Sequence, residues 1–463
     1  MIVTSKAAPP LLSTRRRWTV LGVCAAAMFL VGLDTTIVNV ALPEIGHSLG
    51  TSTRGLEWVV DAYTIVFASL LITSGAIADR WGRRRVFQTG LAIFGIASLL
   101  CAIAPSAGFL VAARVLQGVG ASMLSPVALG IVVNAMPDPK ERAKAIGVWA
   151  SVFGLSMAAG PVTGGALIAA FDWRAVFWIN PPVVVAAVVL VAAFVPESRG
   201  QRARRLDIPG QVLLVALVGL AIGLLIEGPY IGWSSSRAVG GYVLVAAVLV
   251  TFVWVESHRD EPLIDPALFR VPSFTGAVLA AMAVFVALSL TLLLTTFYLQ
   301  NSRGWTPLAA GAATLPMAFG ATVCAPVSGI LVSRVGAQRP LVVAGVFLAV
   351  GGMCLTSIGY NFDLPVLLVA YLLVGVGIGF ANAPITNTAV NSLPPERAGV
   401  AGGTTSTARQ VGAAIGIAIA GGLVADASPD RLAAATEPGW ILIAICGLAV
   451  AAGARVSLMH RAA

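Results

Sequence analysis

From Trp18 onward the chain alternates long apolar runs with short polar segments rich in Arg, Gly and Pro. A bilayer core takes about 20 mostly apolar residues per helix. The runs are continuous and lack the two-residue alternation of barrel strands, so they predict helices. Fourteen spans follow: 18–42, 56–78, 86–104, 107–135, 145–170, 175–195, 208–228, 238–256, 273–298, 308–332, 340–359, 364–388, 398–424 and 438–455.

Composition identifies the solvent of these helices. Of the 463 residues, 58% are hydrophobic and 11% charged, where soluble domains carry about 25% charged residues. Mean hydropathy is +0.92. Such a chain has no polar skin to offer water, so it predicts an all-α integral membrane protein. The net charge of +9 does not point to nucleic acid, because the basic residues lie in short loops. Of the 29 Lys and Arg, two (Arg114 and Arg409) lie inside spans. Five (Arg54, Arg174, Arg237, Arg303, Arg431) fall in one alternating set of loops, and the other 22 in the opposite set. Basic loops stay on the cytoplasmic side. Both termini are therefore expected in the cytoplasm of a bacterial-type cell, in a multi-pass cytoplasmic-membrane protein. Arg15, Arg16 and Arg17 before the first run suit a signal peptide, but the run continues to about residue 42, so an uncleaved first helix is expected.

An internal repeat divides the chain. GAIADRWGRRR (75–85) and GILVSRVGAQR (329–339) share Gly, Arg, Gly and Arg at equal spacing, 254 residues apart. QGVGASMLSPVALGIVVNAMPDPKERA (117–143) resembles VGVGIGFANAPITNTAVNSLPPERA (374–398) at nearly the same offset. A recurring offset marks duplicated units. The expected organisation is a cytoplasmic N-terminus (1–17), a six-helix bundle (18–195), a cytoplasmic linker (196–207) and two inserted helices (208–256). A second linker (257–272), a second six-helix bundle (273–455) and a tail (456–463) complete it. Two such halves facing each other are the architecture of transporters whose substrate site lies near mid-membrane.

Ionisable residues inside the spans are the candidate chemistry, because each is costly in lipid. By the helical rise, Arg114 lies about 10 Å from the outer end of its span, Asp34 about 13 Å and Asp61 about 8 Å. An intramembrane Arg needs an acidic partner, and either acid is within reach. The pair has two readings, a proton-coupling device or a fixed tie between helices. Burial opposes the charge on Asp34 and a neighbouring Arg114 supports it, so Asp34 can carry a proton whose affinity Arg114 sets, with Asp61 the second carrier. Glu227, near the outer end of its span, suits a proton, a cationic substrate or a structural role at the interface. Arg409 lies about 16 Å into its span without a partner evident in sequence. Asn39 either bonds between helices or lines a cavity. Tyr63, Phe153 and Met157 belong to a set of aromatic and Met side chains suited to an adaptable pocket or to packing. The five cysteines are isolated and lack metal or redox spacing, and the three histidines lie in loops or the tail. No metal site, cofactor or catalytic centre is expected, and no phosphate-binding loop for ATP is present.

Two Gly-bearing motifs remain. GAIADRWGRRR combines Gly75, Asp79, Arg80, Gly82, Arg83 and Arg84 at a membrane edge, where positive-inside bias accounts for the arginines alone. GVWASVFGLSMAAGPVTGG (147–165) places Gly147, Ser156, Gly160, Pro161, Gly164 and Gly165 on one pliable span.

The first motif resembles the cytoplasmic signature loop of the major facilitator superfamily, and the resemblance implies a latch between the halves. LVAARVLQGVGAS (110–122) is similar to that family's fourth-helix motif, whose Arg is associated with proton transfer. The 147–165 stretch resembles the fifth-helix motif of the exporters, with Ser156 where the pattern has Gly. LDTTIVNVALP (33–43) resembles the first-helix motif of fourteen-span drug:proton antiporters, of the methylenomycin-resistance type. EWVVDAYTIVFAS (57–69), LLIEGPYIGW (224–233) and ARQVGAAIG (408–416) extend the likeness over nearly the whole chain. The resemblance implies a monomer exporting small hydrophobic drugs or antibiotics against protons, with lipids as its surroundings; the membrane acids point to cations, while Arg114 and Arg409 leave neutral or anionic substrates open. A metabolite uptake carrier is the alternative that the 147–165 motif and the fourteen spans disfavour. A membrane enzyme lacks a catalytic cluster.

Overall fold

The computed structural model describes residues 13–200, 206–359, 363–394, 397–425, 427–428 and 431–462. Side chains at 139–140, 143, 146–147, 150–151, 153–154, 158, 359, 398 and 456–462 lie outside that description. Among the described residues the chain is helical, with no strand. The first half contains α1 (Thr14–Leu49), α2 (Thr53–Trp81), α3 (Arg83–Ala102), α4 (Ala107–Ser122) and α5 (Ser125–Ala135). It continues through α6 (Pro139–Ala170), α7 (Ala175–Trp178) and α8 (Asn180–Phe194). Next come α9 (Ile208–Ile231) and α10 (Ser236–Ser257). The rest comprises α11 (Pro272–Thr296), α12 (Pro307–Ala313), α13 (Leu315–Val335), α14 (Gln338–Thr356), α15 (Leu364–Asn391), α16 (Ala398–Val424) and α17 (Leu432–Ala462).

Thirteen helical segments among the described residues are long and apolar enough to cross a membrane. The remaining predicted span, 145–170, lies within α6, a 32-residue helix whose 155–170 stretch is apolar. The helix count thus agrees with the sequence expectation to within that one helix.

Three expected spans are broken, each beside proline. The 107–135 span interrupts at Met123–Leu124 ahead of Pro126, the 175–195 span at Ile179 ahead of Pro181 and Pro182, and the 308–332 span at Thr314 ahead of Pro316. Proline lacks the N–H that would continue the preceding turn. Helix starts are capped by short polar side chains. Ser106 Oγ accepts from Phe109 N (3.3 Å), Asp138 Oδ2 from Glu141 N (2.8 Å) and Asp207 Oδ1 from Gly210 N (3.0 Å).

Small residues set the helix spacing, since lipid supplies no hydrophobic drive between helices. A Cβ on Gly118 of α4 would come within 2.7 Å of the Tyr63 carbonyl of α2, and one on Gly120 within 2.6 Å of Phe94 N of α3. The repeat partners behave alike. Gly375 of α15 abuts Met317 of α13, and Gly377 lies against Ala344 and Leu348 of α14. Gly82 and Gly336, matched in the other repeated motif, both end their helices with positive φ (113° and 81°). The sequence repeat therefore reproduces helix–helix contacts and helix ends.

The halves meet along two seams. One joins α2 to α16: Thr407 Oγ1 donates to the Ala68 carbonyl (3.2 Å), Gly403 faces Ile72, and Gly421 faces Glu57. The other joins α1 and α6 to the segment 297–313. Gln300 Nε2 donates to the Val40 carbonyl (3.2 Å), Gly165 abuts Pro307 and Leu308, and Pro161 abuts Gly311. This second seam lies at the end of the bundle that carries the α1–α2 turn.

Candidate functional site: a buried charge cluster in the first half

Asp34 and Arg114 form an ion pair in which both side chains are fully buried. Arg114 Nη1 donates to Asp34 Oδ2 at 2.8 Å. The other carboxylate oxygen, Oδ1, accepts from Gln117 Nε2 and from Asn180 Nδ2, each at 2.9 Å. Three N–H donors thus converge on one buried carboxylate. Arg114 is equally engaged: Nε donates to the Val59 carbonyl (3.1 Å) and Nη1 also to Gln117 Oε1 (2.7 Å). Its guanidinium lies 4.1 Å from the Tyr63 ring centroid, a cation–π contact strengthened by exclusion of water. Ser98 Oγ accepts from Gln117 Nε2 (2.9 Å) and Asn180 Nδ2 (3.2 Å) and donates to the Phe94 carbonyl (2.8 Å).

Its members come from five elements: Asp34 from α1, Val59 and Tyr63 from α2, Ser98 from α3, Arg114 and Gln117 from α4, Asn180 from the first turn of α8. The glycine contacts of α4 let these backbones approach. The network ties five helices together, with Arg114 Nη2 and Asn180 Oδ1 left without a hydrogen-bond partner among the described residues.

The structure selects Asp34, not Asp61, as the acid on Arg114. Val59 and Tyr63 of α2 both touch Arg114, and Asp61 lies two residues from each. At 3.6 residues per turn it points to the far side of the helix. Asp61 is fully buried, and neither carboxyl oxygen has a hydrogen-bond partner among the described residues. Asn39 is buried, with its Oδ1 similarly without a partner.

The remaining candidates are dispersed. Glu227 forms an ion pair with Arg54 and accepts from Arg54 Nε (2.8 Å) and Trp58 Nε1 (3.2 Å), tying α9 to the start of α2. Arg409 Nη2 donates to Thr386 Oγ1 of α15 (2.7 Å), while its Nε lacks a partner among the described residues. On α6, Gly160 faces Thr36, Gly164 faces Ile37, and the Met157 carbonyl accepts from Thr36 Oγ1 (3.2 Å). Ser156 is buried. Thus α6 lies between α1 of its own half and α12 of the other. The side chain of Phe153 and the surroundings of Gly147 lie outside the described residues.

The signature-loop residues bond within the first half and to the linker that follows it. Arg83 donates to Asp79 Oδ1 through Nε (3.0 Å) and Nη2 (2.8 Å), and to the Gly130 carbonyl (3.0 Å). Arg84 donates to the Ala192 carbonyl (2.7 Å) and, through its backbone N, to Glu197 (3.1 Å). Gly75 faces Pro126, and Arg80 is exposed. Gln117, Ser98 and Asn180 were not expected from sequence. Gln117 lies one turn from Arg114, a spacing that marks a shared helix face; nothing local to Asn180 or Ser98 announces them.

Residues 24–417 match the sequence profile of the Major Facilitator Superfamily. The multidrug resistance protein Stp of Mycobacterium tuberculosis is 37% identical over 398 residues, covering 86% of this chain and 74% of that protein. The tetracenomycin C resistance and export protein of Streptomyces glaucescens is 36% identical, covering 91% and 79%. The methylenomycin A resistance protein of Streptomyces coelicolor is 34% identical, covering 86% and 83%. Among solved structures, the human organic anion transporter TETRAN superposes with a TM-score of 0.62 at 16% identity, over 96% of this chain and all of that one. The matched profile, the relatives and the helical architecture agree: the chain belongs to the major facilitator superfamily and is a transporter, not an enzyme.

Proposed function

We propose that this protein exports drugs or antibiotics across the bacterial cytoplasmic membrane in exchange for protons, by alternating access between the halves 18–195 and 273–455. The distribution of basic loops supports cytoplasmic termini, an orientation in which the α1–α2 turn faces outward. The observation that carries the reading is the buried Asp34–Arg114 pair, on a chain whose relatives are named for drug resistance and export.

Asp34 is the proton carrier and Arg114 sets its affinity. In this arrangement three N–H donors occupy the Asp34 carboxylate. A proton forming a carboxyl O–H there weakens the ion pair and removes an acceptor from Gln117 or Asn180. The helices tied by the cluster are then free to shift. One charge crossing the membrane supplies about 2.3 kcal/mol per 100 mV, and a pH gradient adds to it. Asp61 is a second carrier. Glu227, Asn39, Tyr63, Phe153, Met157 and Arg409 are candidates for substrate contact, and the 75–84 loop for the conformational latch. The transported molecule is hydrophobic; the membrane acids favour a cation, while Arg114 and Arg409 leave room for neutral or anionic antibiotics.

Proteoliposomes with an imposed pH gradient test this reading. A fluorescent lipophilic cation should move against the gradient-driven proton flux with the wild-type protein. Asp34→Asn should abolish drug-driven proton movement; full movement in that variant would sink the proposal. Accumulation of the cation in cells, rather than its depletion, would indicate uptake.

A further inference from the structure

Glu57 stands on α2 one turn before Asp61, about 6 Å away along the helix axis. It is 2% exposed and Asp61 fully buried, and none of their four carboxyl oxygens has a hydrogen-bond partner among the described residues. Positions 57, 61, 64, 68 and 72 recur at the spacing of a single helix face. That face is the seam with α16. Glu57 lies where a Cβ on Gly421 would fall, the Ala68 carbonyl accepts from Thr407, and Ile72 faces Gly403.

The charged groups around this pair are already committed or distant. Glu227 of α9 and Arg54 are paired with each other at the outer end of the seam. Within α16 the sole ionisable residue is Arg409, bonded to Thr386 on α15. Arg114 of α4 and Asp34 of α1 are bonded to each other on the opposite face of α2. The arginines of α3 lie at the other membrane edge, and α5 has no ionisable residue. A carboxylate sealed among apolar atoms without donors is far less tolerable than a neutral carboxyl. The contrast with Asp34 is direct: one buried acid has three donors, the other two have none.

We propose that Glu57, together with Asp61, binds protons arriving from the outer side and so permits α2 and α16 to close against each other. Each carboxylate takes up one proton, forming an O–H bond, when the seam packs. When water reaches the seam, the protons leave, and two like charges one turn apart on a face that packs against the other half force the helices apart. Glu57 receives the proton first, because it lies between the partly exposed Arg54–Glu227 pair and Asp61. This rests on the alternating-access reading above and adds to it a proton site distinct from Asp34.

The test uses the full chain in proteoliposomes with spin labels on Ser52→Cys and Ser428→Cys, two exposed positions at the outer ends of α2 and α16. The protein without added cysteines supplies the background from its native thiols. Rising pH should increase the population with a longer Ser52–Ser428 distance. Glu57→Gln should remove at least half of that change, Glu57→Gln with Asp61→Asn nearly all of it, and Asp34→Asn little. Infrared difference spectra should show a neutral-carboxyl C=O band at low pH that Glu57→Gln removes, whether or not the labelled protein behaves. A distance that ignores pH, an unchanged response in Glu57→Gln, or no band lost in that variant overturns the proposal. Absence of drug-driven proton movement in the wild-type protein, with an intact seam response, would defeat the exporter reading and leave this one standing.

Discussion

Asn180 and Asp34, 146 residues apart in sequence, are joined by a 2.9 Å hydrogen bond within a fully packed part of the first half. The bond exists because of a break in a helix. Asn180 begins α8 and is followed by Pro181 and Pro182, which cannot donate the N–H groups that would continue α7 into it. Its amide points into the bundle, where Nδ2 serves both Asp34 and Ser98. A proline pair thus positions a donor on the acid that Arg114 also holds, and the second half of the carboxylate is satisfied from another helix.

Removing that donor should expose its contribution. Asn180→Leu fills similar volume but leaves Asp34 Oδ1 with Gln117 alone. Losing one hydrogen bond to a buried charged group costs about 1.5–3 kcal/mol. The expected outcome is a lower unfolding temperature in detergent and a shifted pH profile of proton-coupled transport. Asn180→Asp should be worse, because it sets a second carboxylate beside Asp34. A pH profile matching wild type in Asn180→Leu would show that Asn180 serves packing alone.

Arg114→Lys should not substitute for arginine. Lys can meet Asp34, but one ammonium on a flexible stem cannot reproduce the planar set of donors to Asp34, Gln117 and the Val59 carbonyl with stacking over Tyr63. Arg114→Ala leaves Asp34 buried without its counter-charge, a loss of about 3–5 kcal/mol. Thermal unfolding followed by circular dichroism should rank wild type above Lys and Lys above Ala. Exchanging the two residues, Asp34→Arg with Arg114→Asp, should recover stability before transport if the pair couples protons. Recovery of both would mark it as a fixed tie.

Much of this arrangement could be read in the sequence, and the rest fails for identifiable reasons. Spans follow from run length, and the ion pair from the rule that an arginine in lipid needs an acid. Choosing Asp34 over Asp61 required helical phase, which sequence supplies only relative to a known contact on the same helix; Val59 and Tyr63 give that contact. Glu57 lies one turn from Asp61, yet its position near a span end reads as that of an ordinary interfacial acid until α16 is placed over it. Asn180 and Ser98 are single polar residues in apolar runs, and their roles depend entirely on how α3 and α8 are packed against α4. The three helix breaks had local proline signals, yet hydropathy alone passes smoothly over them.

Gly118 should resist enlargement more than Gly108 does. A side chain at Gly118 would strike the Tyr63 carbonyl and Val66 of α2, whereas Gly108 has open space around it. Backbone atoms cannot step aside as a side-chain tip can, so Gly118→Val should push α4 from α2 and stretch the Arg114–Val59 bond. Overpacking of this kind costs about 1–3 kcal/mol or more. Gly108→Val should leave the unfolding temperature near wild type, and Gly375→Val, at the matched contact of the second half, should fall with Gly118→Val.

Gly82 and Gly336 allow the two consequences of a repeated glycine to be separated. Both hold positive φ with ψ far from the left-handed helical well (128° and 168°), a conformation that costs an L-residue about 1–3 kcal/mol. At Gly336 nothing lies near the missing Cβ, so Gly336→Ala should show that conformational cost alone. At Gly82 the Cβ would also meet the Glu197 carboxylate at 2.6 Å, the group that accepts from Arg84 N and pairs with Arg85. Gly82→Ala should therefore destabilise more than Gly336→Ala, and the excess should shrink when Glu197→Ala is added. Unfolding temperatures of the four variants decide it: equal losses at Gly82 and Gly336, unchanged by Glu197→Ala, would show that the φ angle alone fixes both positions and that the Glu197 contact yields freely.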